Sequence, residues 1–338
     1  MSQVKIINNT AFEYQTLFAT DEKGNPIVTP IIKGTFAINL DGTLEFLQQQ
    51  LPVNLEGEFY ADPATSSYLY EPECAFVKPK TDVVVLGAAI SSNGPVNALL
   101  VDIQVGHLQK KLKVTGDRYW IKQGKSYALS KIIPFETMPL NYENAFGGWD
   151  RRFEDEARHG FEARNTVGKG FYLPDAPYTE PLPLANIEDP LNPVQKITDR
   201  PEPAGCGFTL PHWQPRAALA GTYDDEWIEK RSPMLPADFK KEYFNAASSD
   251  LMADNFLQGN ERVSITNMTP GGHLDFYLPG VNPPVCMIEL KNKLVELNLN
   301  LDTIIINTEQ SWVSLLWRNY QRLDDSYHDV EEMSIVYG

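Results

Sequence analysis

A chain of 338 residues, 42% of them hydrophobic and 11% aromatic, has ample material for a buried core, which excludes an intrinsically disordered protein. Its 25 prolines and 22 glycines speak against a helical bundle. A net charge of −16 disfavours nucleic acid and anionic membranes as partners, and leaves two readings open: a solubilising surface, or a complement to a basic protein.

From the N-terminus, no basic segment precedes an apolar run, so no secretory signal is read, and no stretch has the apolar length of a membrane helix. A soluble, cytoplasmic chain is expected. "TFAINL" alternates Phe36, Ile38 and Leu40 with smaller or polar residues, and Asp41-Gly42 then signals a hairpin. "TDVVVLGAAI" is a short continuous apolar run, the pattern of a strand buried on both faces. "ALLVDIQVG" and "KKLKVTGDRYW" read as two arms of a further hairpin, with Val101, Ile103, Val105, Leu112 and Val114 facing inward.

The middle, from Pro134 to about Gly259, differs in kind. It is rich in Pro, Gly and aromatics, and its Phe, Tyr and Trp content argues for order. Short helices are expected at "RFEDEARHG", at "DDEWIEK" behind a Thr222 cap, and at "PADFKKEYFNAAS". The last third returns to strands: "RVSITNM", "GGHLDFYLPG", "PVCMIEL", "LVELNLNLDTIIIN" and "SWVSLLWRN". In the fourth, Leu297, Leu299 and Leu301 form a dry face. "DDSYHDVEEM" then reads as an acidic, loosely held tail.

The predicted fold is mainly β, with two strand-rich, sandwich- or barrel-like lobes bridged by a long ordered region with a few short helices. The expected divisions are 1–133, 134–258, 259–323 and a tail at 324–338. Whether the lobes share one core is not legible in a single sequence.

Catalytic signatures are missing from the sequence. "GKG" at Gly168 to Gly170 lacks the spacing and ending of a Walker loop, and there is no GxSxG, GxGxxG or HExxH. No two of the five histidines lie at i, i+4, and Cys74, Cys206 and Cys286 form no CxxC, so no metal or other cofactor is expected. His212, beside Trp213, reads as a packed loop residue. Cys206, between glycines, reads as a small buried side chain rather than a reactive thiol. A carboxylate hydrolase acting on carbohydrate or peptidoglycan stays open as an alternative, with Glu143, Glu188, Asp189 and Asp224 as candidates. Aromatic, glycine and arginine residues without a catalytic set fit a recognition surface better.

The blocks "KGTFAI", "FVKPKTDVVVLG", "VTGDRYW", "PLNYENAFGGWD", "NTVGKGF", "LANIEDP", "DRPEPAGCGF", "PHWQPRAALAGTYDDEW", "LPADFKKEYFNAA" and "LNLDTIIIN" follow one another in order. As a set they resemble the bacterial family named domain of unknown function 2169, over residues 4 to 318. The resemblance implies a non-enzymatic adaptor or chaperone of the type VI secretion system. Its partner would be a secreted effector or a spike or spike-tip protein, with no nucleic acid or membrane role and an open oligomeric state. An immunity protein for a neighbouring toxin is a further alternative. The insert "WDRRFEDEARHGFEAR" is longer than the family pattern. Trp149, Arg151, Arg152, Phe153, His159, Phe161 and Arg164 within it are therefore the expected partner-binding residues. Tyr142, Glu143, Phe146, Gly147, Gly148, His212, Trp213, Arg216, Gly221 and Tyr223, which belong to the shared blocks, are expected to be structural.

Overall fold

The computed structural model describes residues 4–291, 293–324 and 326–338. Strands dominate, and short helical turns interrupt them. The largest sheet runs in the order Glu13–Thr20, Pro26–Ile38, Trp312–Arg318, Asn300–Asn307, Asp82–Leu86, so strands from both ends of the chain interleave. Asn300–Asn307 pairs in parallel with Asp82–Leu86, and the other pairings along that path are antiparallel. The continuous apolar runs of the sequence lie here because both faces are covered: every residue of Asp82–Leu86 and of Trp312–Arg318 is buried. Thr35 and Ser314 satisfy each other inside the sheet through a 2.7 Å hydrogen bond between their hydroxyls.

A second sheet runs Ile187–Glu188, Leu108–Thr115, Ala98–Val105, Arg262–Thr266, His273–Tyr277. Val101, Ile103, Val105, Leu112 and Val114 all face inward as their alternation predicts, each with 0% exposure. A third sheet joins Lys5–Asn8, Val330–Val336, Val285–Leu290 and Lys293–Asn298. Here the structure corrects the reading of a loosely held tail. Val330–Val336 is an interior strand of this sheet, because Val330, Met333 and Ile335 supply a buried apolar face between the charges. One hydrophobic cluster takes residues from all three sheets, so the first and last thirds share a core. The run 294–307 divides between two sheets, with Leu299 buried at the crossing point.

The expected helices shrink on inspection. Asp225–Lys230 is an α-helix, but its cap is Asp224, which accepts from the Trp227 amide at 2.9 Å. Thr222 instead bonds the Asp238 carboxylate. The other two are reduced to 3-10 turns, Glu156–Arg158 and Lys241–Phe244, each ended by a residue in extended conformation, His159 and Asn245. Among the described residues, no helix is long and apolar enough to cross a membrane.

Six charged side chains lie buried beside the central sheet. Lys78 sits 2.8 Å from Asp82 and 3.8 Å from Glu71, Glu71 also takes Arg216, and Asp302 faces Arg318 at 3.2 Å. Three cations meet three anions, so the group is neutral as a whole, as burial requires.

Candidate partner-binding site

The segment "NAFGGWD" is held by a knot of backbone and amide contacts. Asn165, fully buried, donates through Nδ2 to the carbonyls of Tyr142 and Phe146 at 2.8 and 3.0 Å and accepts from the Gly168 amide at 3.1 Å. Gly147 and Gly148 have φ of 155° and 89°, and a Cβ on either would stand about 2 Å from a backbone oxygen, 2.2 Å for Asn165 and 2.1 Å for Gly168. Phe146 is buried. Buried Tyr142 packs edge-on against Trp213 at 5.2 Å, and burial pushes its hydroxyl pKa up. Trp213 donates its indole N–H to Thr166. Glu143 accepts from the Ser67 amide and hydroxyl.

Other residues of the shared blocks brace more distant loops. Arg216 donates to the carbonyls of Tyr243 and Thr209 and pairs with Glu71. Gly221, at φ 84°, turns against Pro236 and Asp238. His212 is on the surface side of Trp213, and partial burial lowers its pKa. Tyr223 is half exposed, with its ring 4.7 Å from Trp227.

Beyond the glycine pair the insert forms a two-stranded hairpin, Trp149–Asp150 against Gly160–Phe161. Both ends are clipped in the same way. Arg152 makes a forked contact with Asp150 at 2.8 and 2.7 Å, and Arg164 does so with Glu162 at 2.6 and 2.7 Å. Asp150 is nearly fully buried and also accepts from the Leu173 amide. Burial alone would raise the Asp150 pKa, but the Arg152 and backbone hydrogen bonds outweigh it and hold the group below its ordinary value. Arg152 continues to the carbonyls of Pro177 and Leu173, and Arg164 to Glu202, Arg200 and Pro201.

Of the expected partner-binding residues, Arg152 and Arg164 are thus occupied inside the chain. Trp149 and Phe161 are stacked on each other at 4.4 Å yet remain 44% and 46% exposed, with the Arg151 guanidinium 4.8 Å from the indole. At the far end of the hairpin, His159 contacts the Phe153 carbonyl and Arg158 lies over the Phe153 ring at 3.7 Å. Sequence reasoning did not single out Asp150, Glu162 or Asn165. A signal was present: "WDRR" and "FEAR" share the order aromatic, acid, any residue, arginine, and the structure places the two aromatics face to face.

The carboxylates considered for catalysis are separately engaged. Glu188 is buried 2.6 Å from Arg118, Glu143 binds Ser67, Asp189 accepts from Leu191 and Asn192, and Asp224 caps its helix. Among the described residues, no group of three or more His, Cys, Asp and Glu side chains is placed to hold a metal.

This architecture defines a mainly β protein with a rigidly mounted, solvent-facing aromatic and arginine hairpin. The chain belongs to the bacterial family described as an uncharacterized protein conserved in bacteria (DUF2169), which matches residues 23–318. No curated protein matches the chain, and no solved structure does.

Proposed function

We propose that the chain is a non-catalytic binding protein, an adaptor or chaperone of the type VI secretion apparatus that holds an effector, or the spike-tip protein that carries it, in the cytoplasm before delivery. The observation that carries this reading is the stacked Trp149–Phe161 pair, half exposed on a hairpin whose two ends are clipped by Asp150–Arg152 and Glu162–Arg164. An aromatic pair held rigidly in water loses little entropy when a partner covers it. Covering the exposed halves, about 100 Å² each, contributes roughly 5 kcal/mol before the costs of association. Trp and Arg are also the side chains that concentrate binding energy at interfaces.

The test is co-expression with a candidate secretion effector, followed by size-exclusion chromatography with light scattering. A stable stoichiometric complex, with an effector that is otherwise insoluble or degraded, is the expected result. Two separate peaks would overturn the effector as the partner. Loss of toxin activity in cells lacking a secretion apparatus would mark an immunity protein instead.

A further inference from the structure

The charge of this acidic chain is unevenly distributed. Residues 108–133 carry seven Lys or Arg and one Asp, a net of +6, which leaves −22 for the remainder of a chain at −16. Three of the cations are committed: Lys110 to Asp250 at 2.8 Å, Lys111 to Asp102 at 3.6 Å and Arg118 to Glu188 at 2.6 Å. Among the described residues, Lys113, Lys122, Lys125 and Lys131 make no ion pair. The last three lie on one hairpin arm, Tyr119–Gln123 against Ser126–Leu129, extended at its base by the Asp117–Ile133 bridge. Residues Lys122 to Ser126 at its tip are exposed, and a Cβ at Gly124 would meet nothing within 4 Å.

Apolar groups accompany these cations. Ile121, Leu129 and Ile133 are 38%, 48% and 55% exposed. Ser126–Leu129 is the outer strand of its three-stranded sheet, so among the described residues no strand pairs with its second edge. The arm is anchored from behind by Trp120, which packs with Tyr172, Leu182 and Leu184, and by Tyr127 against Tyr178. Arg152 of the aromatic hairpin lies over Tyr172 at 5.1 Å, so arm and hairpin share one brace.

We propose that this arm is a docking edge for an extended acidic segment of a protein partner, which adds as a strand beside Ser126–Leu129. This rests on the reading of the chain as a binding protein and names the chemistry of one thing it binds. Lysines at the tip supply charge complementarity, the open edge supplies backbone hydrogen bonds, and the exposed aliphatics take alternate side chains. Three free lysines against −22 elsewhere disfavour nucleic acid, whose backbone would be repelled by the rest of the surface and gains nothing from Ile121 or Ile133. The same balance disfavours an anionic membrane.

The experiment needs no effector, so its failure is separable from that of the adaptor reading. A labelled peptide of alternating glutamate and valine is titrated onto the purified chain, with its lysine–valine counterpart, single-stranded DNA and phosphatidylserine vesicles as comparisons. The acidic peptide is expected to bind and to slow amide exchange at Tyr127 and Leu129, which alternate with the inward-facing Ser130 amide that donates to Tyr119 and so face the open edge. Binding should weaken at least 10-fold in Lys122→Glu/Lys125→Glu/Lys131→Glu and be unchanged in Lys23→Glu, an exposed lysine elsewhere. Absence of binding, binding without slowed exchange at that edge, equal binding by the triple variant, or preference for DNA or vesicles would overturn the proposal.

Discussion

Replacing Gly148 with alanine perturbs the mounting of the hairpin at its root. At φ 89° an L-residue costs about 1–2 kcal/mol, and the new Cβ would lie 2.1 Å from the Gly168 carbonyl oxygen, more than 1 Å inside an ordinary carbon–oxygen contact of about 3.3 Å. The oxygen is backbone, so relief means moving the chain. Two hydrogen bonds are then lost, from Gly148 N–H to the Asn165 carbonyl at 2.8 Å and from Glu162 N–H to the Gly148 carbonyl at 3.0 Å, at about 1 kcal/mol each. The total is about 3–4 kcal/mol. An unfolding entropy of about 2.1 cal/mol/K per residue gives about 0.7 kcal/mol/K for this chain, so the calorimetric midpoint should fall by about 4–6 °C. Gly207→Ala is the matched control. It lacks a left-handed φ and a Cβ there meets nothing within 4 Å, so its midpoint should move by less than about 1 °C. Equal midpoints for the two variants would refute the assignment of the glycine pair as a forced backbone approach.

Three further outcomes follow from buried or paired groups. Arg318→Met should cost about 3–5 kcal/mol in urea unfolding because it leaves buried Asp302 without its guanidinium partner, whereas Arg318→Met with Asp302→Leu should recover most of that loss; equal losses would count against the pairing. Burial alone would raise the Asp21 pKa, but the hydrogen bonds from Asn25, Lys23 and Arg322 outweigh it and hold the carboxyl at about 2 instead of 3.8. Its stabilisation is therefore complete above about pH 4 and lost as pH falls towards 2, and Asp21→Asn should flatten that acid limb of a stability–pH curve. Burial pushes the Cys206 and Cys286 thiols up to about 12, while Cys74 is exposed, so iodoacetamide on the native protein should label Cys74 alone, as read by mass spectrometry.

Sheet strands were legible where their periodicity reflects one environment. Val101, Ile103 and Val105 alternate because one face of their strand is buried, and 82–86 is apolar throughout because both are. What the sequence did not carry was partner choice between strands far apart in the chain, such as Asp82–Leu86 beside Asn300–Asn307. The tail was misread because its charges, Glu331 and Glu332, stand between Val330 and Met333, where an irregularity in the pairing breaks the alternation that Met333 and Ile335 resume. At the candidate site, residue type pointed to the insert, but type alone does not separate Arg151, which lies at the surface beside Trp149, from Arg152, which is held by Asp150. That distinction depends on the acid two residues earlier, a spacing that becomes informative only once the hairpin is seen.

The most direct test of the binding reading is Trp149→Ala/Phe161→Ala in the co-expressed complex. Both rings are about half exposed, and neither takes part in the Asp150–Arg152 or Glu162–Arg164 clips, so the isolated variant should melt within about 2 °C of the parent. Its affinity for the partner should fall about 100-fold, the loss of roughly 2.7 kcal/mol of the contribution from covering the pair. Affinity unchanged in a folded variant would contradict the account, because the one rigid aromatic surface on which the reading rests would then be idle.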